Sequence, residues 1–291
     1  MKRRKLIKNA ILGMPLITLG LPDIIMKNKM NNMETQALKG HINHAVCRWP
    51  YQNIPFDDFC IGIREIGIKG IDLLGQDEWP VAKKNGLICS MTTGDKFGLR
   101  KGFNDLSLHE ALWENYEALI PAAADQGLKN VICFSGERNG LTDAQGIENC
   151  AKGLDRMVKL AEKNDITLVM ELLNSKVDHP GYQCDHTEWG VELCEKIGSE
   201  HFKLLYDIYH MQIMEGDVIR TIQKYHKYIA HYHTGGVPGR HEINDTQELN
   251  YPAIMRAIVE TVFNGFVAQE FIPAKKDKLA SLKEAVLICD V

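Results

Sequence analysis

The sequence predicts a single-domain (β/α)8 barrel, and three observations support this fold class. Short apolar runs rich in β-branched residues alternate eight times with segments of helical apolar spacing after Gly40. Such a repeat fills about 250 residues in known barrels, which is close to the length that remains here. No GxGxxG motif follows the first run and no GxxxxGK[ST] occurs, so a doubly wound open sheet is the less favoured alternative.

Eight runs have the length and composition of buried parallel strands. In chain order they cover residues 41–46, 70–74, 87–92, 130–135, 167–173, 202–208, 228–234 and 266–271. Helical segments lie between them. Ser107 followed by Glu110 predicts a capping box at one helix start, and Gly127, Gly198 and Gly265 lie where helices should end.

The first 38 residues differ from the rest of the chain. A basic start containing Arg3 and Arg4 precedes a short apolar stretch, which resembles the twin-arginine export pattern. A lysine and a proline interrupt this stretch, and it is too short for a stable membrane span. We therefore interpret residues 1–38 as an export signal and linker, and residues 39–291 as the barrel. This predicts a periplasmic protein, or a cytoplasmic one if the segment carries no targeting meaning.

Charge and cysteine usage exclude several classes of partner. The formal net charge of −4 and the isoelectric point near 6.3 give no electrostatic reason to expect nucleic acid or an anionic membrane. We therefore expect a small-molecule substrate. The eight cysteines form no CxxC pair, and several lie inside apolar runs. Buried free thiols are favoured over disulfides or a zinc cluster.

Acidic and imidazole side chains close the last four predicted strands, at Glu171, Asp207, His233 and Glu270. The carboxyl ends of the strands meet at one face of a barrel, and buried carboxylates need a paired charge or a metal. This mixed oxygen and nitrogen set suits Mn²⁺ or Mg²⁺, with Zn²⁺ as the alternative. His231 points the same way as His233, so spacing does not choose between them. Taken alone, Asp207 could instead cap the following turn.

Five motifs follow one another in the second half of the chain: VMELLN, YDIYHMQIMEGD, HYHTGGVPGR, ELNY and AQEF. Together they resemble the hydroxypyruvate isomerase family, which belongs to the xylose-isomerase-like TIM barrels alongside ketose 3-epimerases. The resemblance covers nearly all of the barrel and is most specific over residues 167–273. It implies that a divalent metal is bound by Glu171, Asp207, His233 and Glu270. It also implies that His210 and Arg240 hold substrate oxygens.

The chain departs from the family pattern at two positions. The isomerases usually have Gln as the third metal ligand and the ketose epimerases have His, as here at His233. Leu172 replaces the proline of the usual E-P-x-N motif, which ends here at Asn174. The first departure bears on the substrate and the second on loop shape. Family members are often dimers or tetramers, which implies a homo-oligomer.

The resemblance implies an isomerase that interconverts hydroxypyruvate and tartronate semialdehyde through an enediolate. Glu171 and Glu270 would form the acid/base pair. His210 and Arg240 would contact the substrate, and His44 at the first strand is a further candidate for such a contact. Arginine suits a carboxylate because its guanidinium binds both oxygens.

Other functions use a similar set of residues. A ketose 3-epimerase or another sugar isomerase of the same barrel is the first alternative, and a non-catalytic sugar-binding barrel is the second. A glycosidase needs two carboxylates but no cation. A metal-dependent endonuclease would need a second ion and a basic groove. Extra ligands for such an ion would come from His44, Glu137, His179 and His186.

Overall fold

The computed structural model describes residues 37–94 and 97–291. The predicted export signal therefore lies outside the described residues, and the segment Leu38–Val291 forms one compact unit. Eight strands pair in sequence order, all in parallel, and β8 closes the barrel against β1. The predicted (β/α)8 fold is confirmed. The strands are β1 (Asn43–Cys47), β2 (Gly70–Leu74), β3 (Ile88–Thr92), β4 (Asn130–Cys133), β5 (Thr167–Glu171), β6 (Phe202–Asp207), β7 (Ile229–Thr234) and β8 (Phe266–Gln269).

Helices surround the barrel and bury their apolar faces against the outer side of the strands. In the described part of the chain they are α1 (Phe56–Ile66), α2 (Trp79–Lys84), α3 (His109–Asp125), α4 (Asp143–Lys163), α5 (Thr187–Ile197), α6 (Ile208–Met214), α7 (Val218–Tyr225), α8 (Tyr251–Glu260) and α9 (Lys278–Cys289). None of these helices is long and apolar enough to cross a membrane.

Local side-chain chemistry sets the helix starts. Thr142 and Gln145 form a reciprocal capping box at the start of α4. The capping box predicted at Ser107 is wrong. Asp105 lies two residues earlier and accepts a hydrogen bond from the Ser107 backbone N–H, at 2.9 Å. That bond caps a short 3₁₀ turn, so α3 begins only at His109.

Two of the three glycines predicted to follow helices have the left-handed backbone that a helix end favours. Gly127 follows α3 with a φ of 81°, and Gly198 ends α5 with a φ of 70°. Gly265 is different, because α8 already ends at Glu260. A Cβ on Gly265 would lie 2.8 Å from the Ala230 carbonyl oxygen, so close strand packing requires this glycine.

Alternation along each strand sorts its residues between the barrel interior and the helix layer. Met91, Ile132, Val169 and Leu205 pack together inside the barrel. Their outward neighbours along the strands join the large core beneath the helices. The residues two positions after Val169 and Leu205 are Glu171 and Asp207, which must therefore face the interior at its C-terminal end.

The pairing of β2 with β3 contains two register shifts around Asp72. Leu73 has a φ of 60°, which is unusual for a residue with a branched side chain. Leu73 packs against the interior clusters, and Asp72 also faces the interior. The opposing strand skips Ser90, whose hydroxyl bonds to Asp72. The irregularity therefore turns two consecutive residues of β2 inward.

All eight cysteines are buried, and they are present as thiols. This confirms the prediction made from their apolar surroundings. Cys47 lies nearest to the polar interior, with its sulfur 3.7 Å from Nε2 of His233. Burial raises the pKa of the Cys47 thiol well above its ordinary value, so the thiol form is favoured.

Candidate metal centre

Four side chains from consecutive strands meet at the C-terminal end of the barrel. Each of Glu171, Asp207, His233 and Glu270 offers one atom, and these four atoms all lie within 4.8 Å of one another. Glu171 and Asp207 are the last residues of β5 and β6, His233 precedes the last residue of β7, and Glu270 directly follows β8. The structure thus brings together the four residues that the sequence analysis proposed as ligands.

Asp207 uses its two carboxylate oxygens differently. Oδ1 accepts a hydrogen bond of 3.0 Å from the His210 backbone N–H and so caps α6. Oδ2 is fully buried and has no hydrogen-bond partner in the described part of the chain. Such an atom is costly unless something positive reaches it. The capping explanation and the ligand explanation are therefore compatible, because each concerns a different oxygen.

Burial disfavours the charged form of each cluster carboxylate, and neighbouring charges modify this effect. Burial raises the pKa of Asp207 to about 8, with Arg240 opposing the shift and Glu270 adding to it. Burial and the Glu270 charge also raise the pKa of Glu171. Burial acts the same way on Glu270, but Arg240 and His233 outweigh it and hold its pKa well below the ordinary value. Three carboxylates with one free buried oxygen form a donor set that fits a divalent cation.

His233 is the histidine of the cluster, and its two ring nitrogens face different groups. Nδ1 lies 2.9 Å from Glu270 Oε2 and 3.2 Å from Glu171 Oε1. Nε2 lies 3.0 Å from Asp72 Oδ2 on the opposite side of the ring. His231 does not reach the cluster carboxylates and instead contacts the same Asp72 oxygen at 2.5 Å. The structure thereby makes the choice between the two histidines that spacing left open.

His210 is fully buried beside the cluster, with Nε2 3.7 Å from Asp207 Oδ2. Its protonation pattern follows from Asn174, whose Oδ1 accepts hydrogen bonds from the backbone N–H groups of Val177 and Asp178. These bonds fix the orientation of the Asn174 amide, so its Nδ2 donates to His210 Nδ1 at 2.6 Å.

The proton of a neutral His210 ring must then lie on Nε2. Burial, with the Arg240 charge adding to it, lowers the pKa of His210 well below its ordinary value, so the ring stays neutral. His210 therefore presents an N–H donor to the site. Asn174, recognised only as a motif residue in the sequence, determines which nitrogen carries that proton.

Arg240 covers the cluster from the loop after β7. Its Nη2 lies 2.5 Å from Glu270 Oε2 and 3.6 Å from Asp207 Oδ2. Its guanidinium carbon lies 5.5 Å from the centre of the Trp49 ring and 5.4 Å from that of Tyr209. Trp49 also donates its indole N–H to Glu270 Oε1 at 2.9 Å.

The structure does not place His44, the further candidate for a substrate contact, beside the cluster. His44 precedes the inward-facing Ala45 on β1, so its side chain points into the helix layer. There Nε2 lies 3.9 Å from Asp290, and burial lowers the pKa of His44 to about 4 despite that carboxylate.

The other candidates for a second ion also lie apart from the cluster. Glu137 pairs with Arg100 at 3.5 Å, and His186 contacts Asp185 at 2.8 Å. The His179 ring packs 5.2 Å from the His210 ring, centre to centre. Among the described residues, none of these side chains joins the four-ligand group.

Fold and site together define a (β/α)8 barrel with a candidate divalent-metal centre at the C-terminal ends of its strands. The chain belongs to the xylose isomerase-like TIM barrel family, whose sequence model matches residues 80–286. The predicted resemblance is thereby confirmed.

Characterised relatives are similar over part of their length. The 2-oxo-tetronate isomerase of Cupriavidus necator is 34% identical over 113 residues, which are 39% of this chain and 43% of that protein. The hydroxypyruvate isomerase of Escherichia coli is 30% identical over 165 residues, which are 56% of this chain and 63% of that protein. The matched segments thus span less than two thirds of either relative.

Solved structures share the fold over most of the barrel. An AP endonuclease of family 2 from Brucella melitensis superposes with a TM-score of 0.76 at 23% identity, covering 83% of this chain and 96% of that one. A D-psicose 3-epimerase crystallised in the presence of D-fructose gives a TM-score of 0.66 at 16% identity, covering 85% and 90%. At these identities the likeness concerns the fold alone.

Proposed function

We propose that this chain is a metal-dependent isomerase that moves a carbonyl between adjacent carbons of a small hydroxy-carbonyl compound. Hydroxypyruvate and tartronate semialdehyde are the first pair to test, since the two relatives described above carry isomerase names. The observation that carries the proposal is the cluster of two glutamates, one aspartate and one histidine around an unpartnered Asp207 oxygen.

Glu171, Asp207, His233 and Glu270 would hold the divalent cation. When bound, it would polarise the substrate carbonyl and offset the negative charge of an enediolate. Mn²⁺ or Mg²⁺ suits this oxygen-rich set, with Zn²⁺ as the alternative.

The two glutamates are suited to opposite halves of a proton transfer. Arg240 and His233 hold Glu270 ionised, which suits a base that removes the proton from the carbon beside the carbonyl. Burial raises the pKa of Glu171, which suits an acid that returns a proton to the neighbouring carbon. Because Glu270 follows β8 and Glu171 ends β5, the two carboxyl groups approach the cluster from different sides of the barrel.

His210 and Arg240 would position the substrate above the cluster. The Nε2–H of His210 is buried and has no hydrogen-bond partner in the described part of the chain, so it is available to a substrate oxygen. The Nε–H of Arg240 is likewise buried without a hydrogen-bond partner among the described residues, so it is also available to the substrate. Trp49 and Tyr209 flank the guanidinium, which fixes its plane and favours a planar carboxylate as the group it binds.

A ketose 3-epimerase is the second candidate, and His233 is the observation that favours it. Ketose epimerases present histidine at this position, and a D-psicose 3-epimerase from Enterocloster bolteae is 29% identical over 158 residues. Epimerisation needs the same abstraction and return of a proton beside a carbonyl, so the acid/base pair would be unchanged.

A substrate screen tests both candidates at once. The protein loaded with Mn²⁺ is incubated in D₂O with tartronate semialdehyde, hydroxypyruvate or a series of ketoses, and products are followed by NMR after the metal is removed. We expect deuterium at the carbon beside the carbonyl, together with the isomer of one substrate. Absence of both product and exchange with every compound would favour the sugar-binding barrel instead.

Two variants test the roles of the glutamates. Glu171→Gln and Glu270→Gln should each reduce turnover by at least about 100-fold while the barrel stays folded. Glu242→Gln is the matched control, because Glu242 is also buried but, in the described part of the chain, accepts its hydrogen bonds from the backbone of Ala274 and Lys275 and from the Ser281 hydroxyl rather than from the cluster. Near-normal turnover in either cluster variant would refute the assignment.

A further inference from the structure

Beneath the cluster, a fully buried carboxylate belongs to none of the motifs quoted from the sequence. Asp72 lies in β2, on the side of the barrel opposite β6, and is completely inaccessible. Its Oδ2 accepts hydrogen bonds from Nε2 of His231 at 2.5 Å and from Nε2 of His233 at 3.0 Å. Its Oδ1 accepts one from the Ser90 hydroxyl. Three donors thus converge on one aspartate.

The backbone is distorted at the point where Asp72 enters the interior. Both register shifts between β2 and β3 flank it, and the neighbouring Leu73 has a φ of 60°. Non-glycine residues in this conformation carry strain, and bulges often redirect a side chain next to a functional site. A Cβ on Gly70 would lie 2.8 Å from the Ser90 hydroxyl, so that glycine makes room for the donor. The two register shifts, the strained Leu73 backbone and the glycine at position 70 are therefore all associated with the placement of one carboxylate.

Stability alone gives a weak account of this arrangement. A buried ionic group is often replaced by apolar residues of similar volume without loss of stability. The residues paired with Asp72 in the neighbouring strands are Cys47 in β1 and Met91 in β3, and both are fully buried. An apolar residue at position 72 would continue this packing, but among the described residues it would leave Nε2 of His233 with only the Cys47 sulfur, a weak acceptor at 3.7 Å.

We infer that Asp72 is a positioning residue that presents His233 to the metal through Nδ1, with His231 and Ser90 holding Asp72 in place. Because Asp72 accepts from Nε2, the proton on that nitrogen is retained when a cation displaces the proton on Nδ1. The lone pair of the neutral ring then lies on Nδ1, the nitrogen nearest to Glu171 and Glu270. A carboxylate behind a ligating histidine also increases its donor strength. The inference rests on the proposed metal site.

This arrangement depends on the identity of the third ligand. A glutamine in place of His233 would offer an amide oxygen to a metal and would have no ring nitrogen to give to Asp72. We therefore expect Asp72 and His233 to act as a unit, and replacing His233 by Gln should remove the effect of substituting Asp72.

The test measures Mn²⁺ affinity by electron paramagnetic resonance of the free ion, and stability of the chelator-treated protein by chemical denaturation. Asp72→Asn keeps the shape of the side chain and removes its charge. We expect its Mn²⁺ dissociation constant to rise by about 10- to 100-fold. Thr92→Val is the matched control. It removes a buried hydroxyl of β3 that bonds to the Leu74 carbonyl in the helix layer, and should lower stability with affinity unchanged.

Ring ¹⁵N chemical shifts give a readout that does not depend on a variant folding. In the unaltered protein loaded with Mg²⁺, we expect a proton on Nε2 of His233 and none on Nδ1. The opposite assignment would overturn the inference, and so would wild-type Mn²⁺ affinity in a folded Asp72→Asn variant. If the unaltered chain itself binds no Mn²⁺, the proposed metal site fails and this inference fails with it.

Discussion

Metal binding should depend strongly on pH, because the cluster carries protons that a cation must displace. Burial raises the pKa of Asp207 to about 8 in the metal-free protein. At pH 7 such a group is protonated in about 90% of molecules. Only the ionised form offers Oδ2 to a cation, so affinity should fall by about tenfold for each pH unit below 8.

Two neighbours steepen this dependence. The pKa of Glu171 is raised by burial and by Glu270. Burial opposes protonation of His233, but Glu270 and Asp72 raise its pKa well above the ordinary value. Both shifts favour the protonated form of the group, and a cation that binds there must displace those protons. The tenfold change per unit is a lower bound, and the sign is fixed: affinity is lost as pH falls.

Titration of Mn²⁺ between about pH 6 and about pH 9 at constant ionic strength measures the slope. Calorimetry in buffers of different protonation enthalpy counts the protons released, and we expect about one or more per ion at pH 7. Glu242→Gln should leave both quantities unchanged. A dissociation constant that stays level across this range, with no proton release, would refute the electrostatic account of the cluster.

Three further substitutions test single contacts. Asn174→Asp should reduce turnover by about 100-fold with Mn²⁺ affinity retained, because a carboxylate would draw the His210 proton to Nδ1. Steady-state kinetics and ring ¹⁵N shifts measure the two effects, and wild-type turnover would contradict this role of Asn174. Trp49→Phe keeps an aromatic ring beside Arg240 but removes the N–H bonded to Glu270, so turnover should fall by about tenfold. Trp49→Leu also removes the aromatic ring and should lower turnover further. Equal turnover of both variants and the unaltered protein would contradict the contribution of Trp49. Gly94→Ala would place a Cβ 1.7 Å from the Ile132 carbonyl oxygen. The free energy of unfolding, measured by denaturant titration, should therefore fall by about 3 kcal/mol. A loss below about 1 kcal/mol would show that the loop moves to accommodate the methyl group.

The fold was predictable because the barrel repeats one local rule eight times. Each strand is short and apolar, and each is followed by helical spacing, so an error in one element leaves the others intact. The helix start expected at Ser107 illustrates such an error. Asp105 accepts the hydrogen bond from the Ser107 backbone N–H that the capping box would have used. The helix still forms, but it begins at a different residue.

The four candidate ligands were predictable because each is a charged or imidazole residue at the end of an apolar run. His44 became a candidate for the same reason, because it is an imidazole residue in an apolar strand. It lies one residue out of phase with the interior-facing positions of β1, however, so its side chain faces the helix layer. Asp72 was missed because GIDLL contains one polar residue without any partner nearby in sequence. Its partner His231 is 159 residues away, and the bulge that turns it inward leaves no signature in spacing.

The division of Asp207 between two tasks restricts which changes the site tolerates. One oxygen fixes the first turn of α6, and the same turn carries His210. A glutamate at this position would extend the carboxylate by one methylene, so it could reach the cluster only by giving up the cap. The proposed metal ligand and the proposed substrate contact are thus linked through four consecutive residues of the backbone. A change in the radius of an ion bound at the proposed site should therefore rotate α6 slightly. The orientation of the His210 ring should then differ from one bound ion to another.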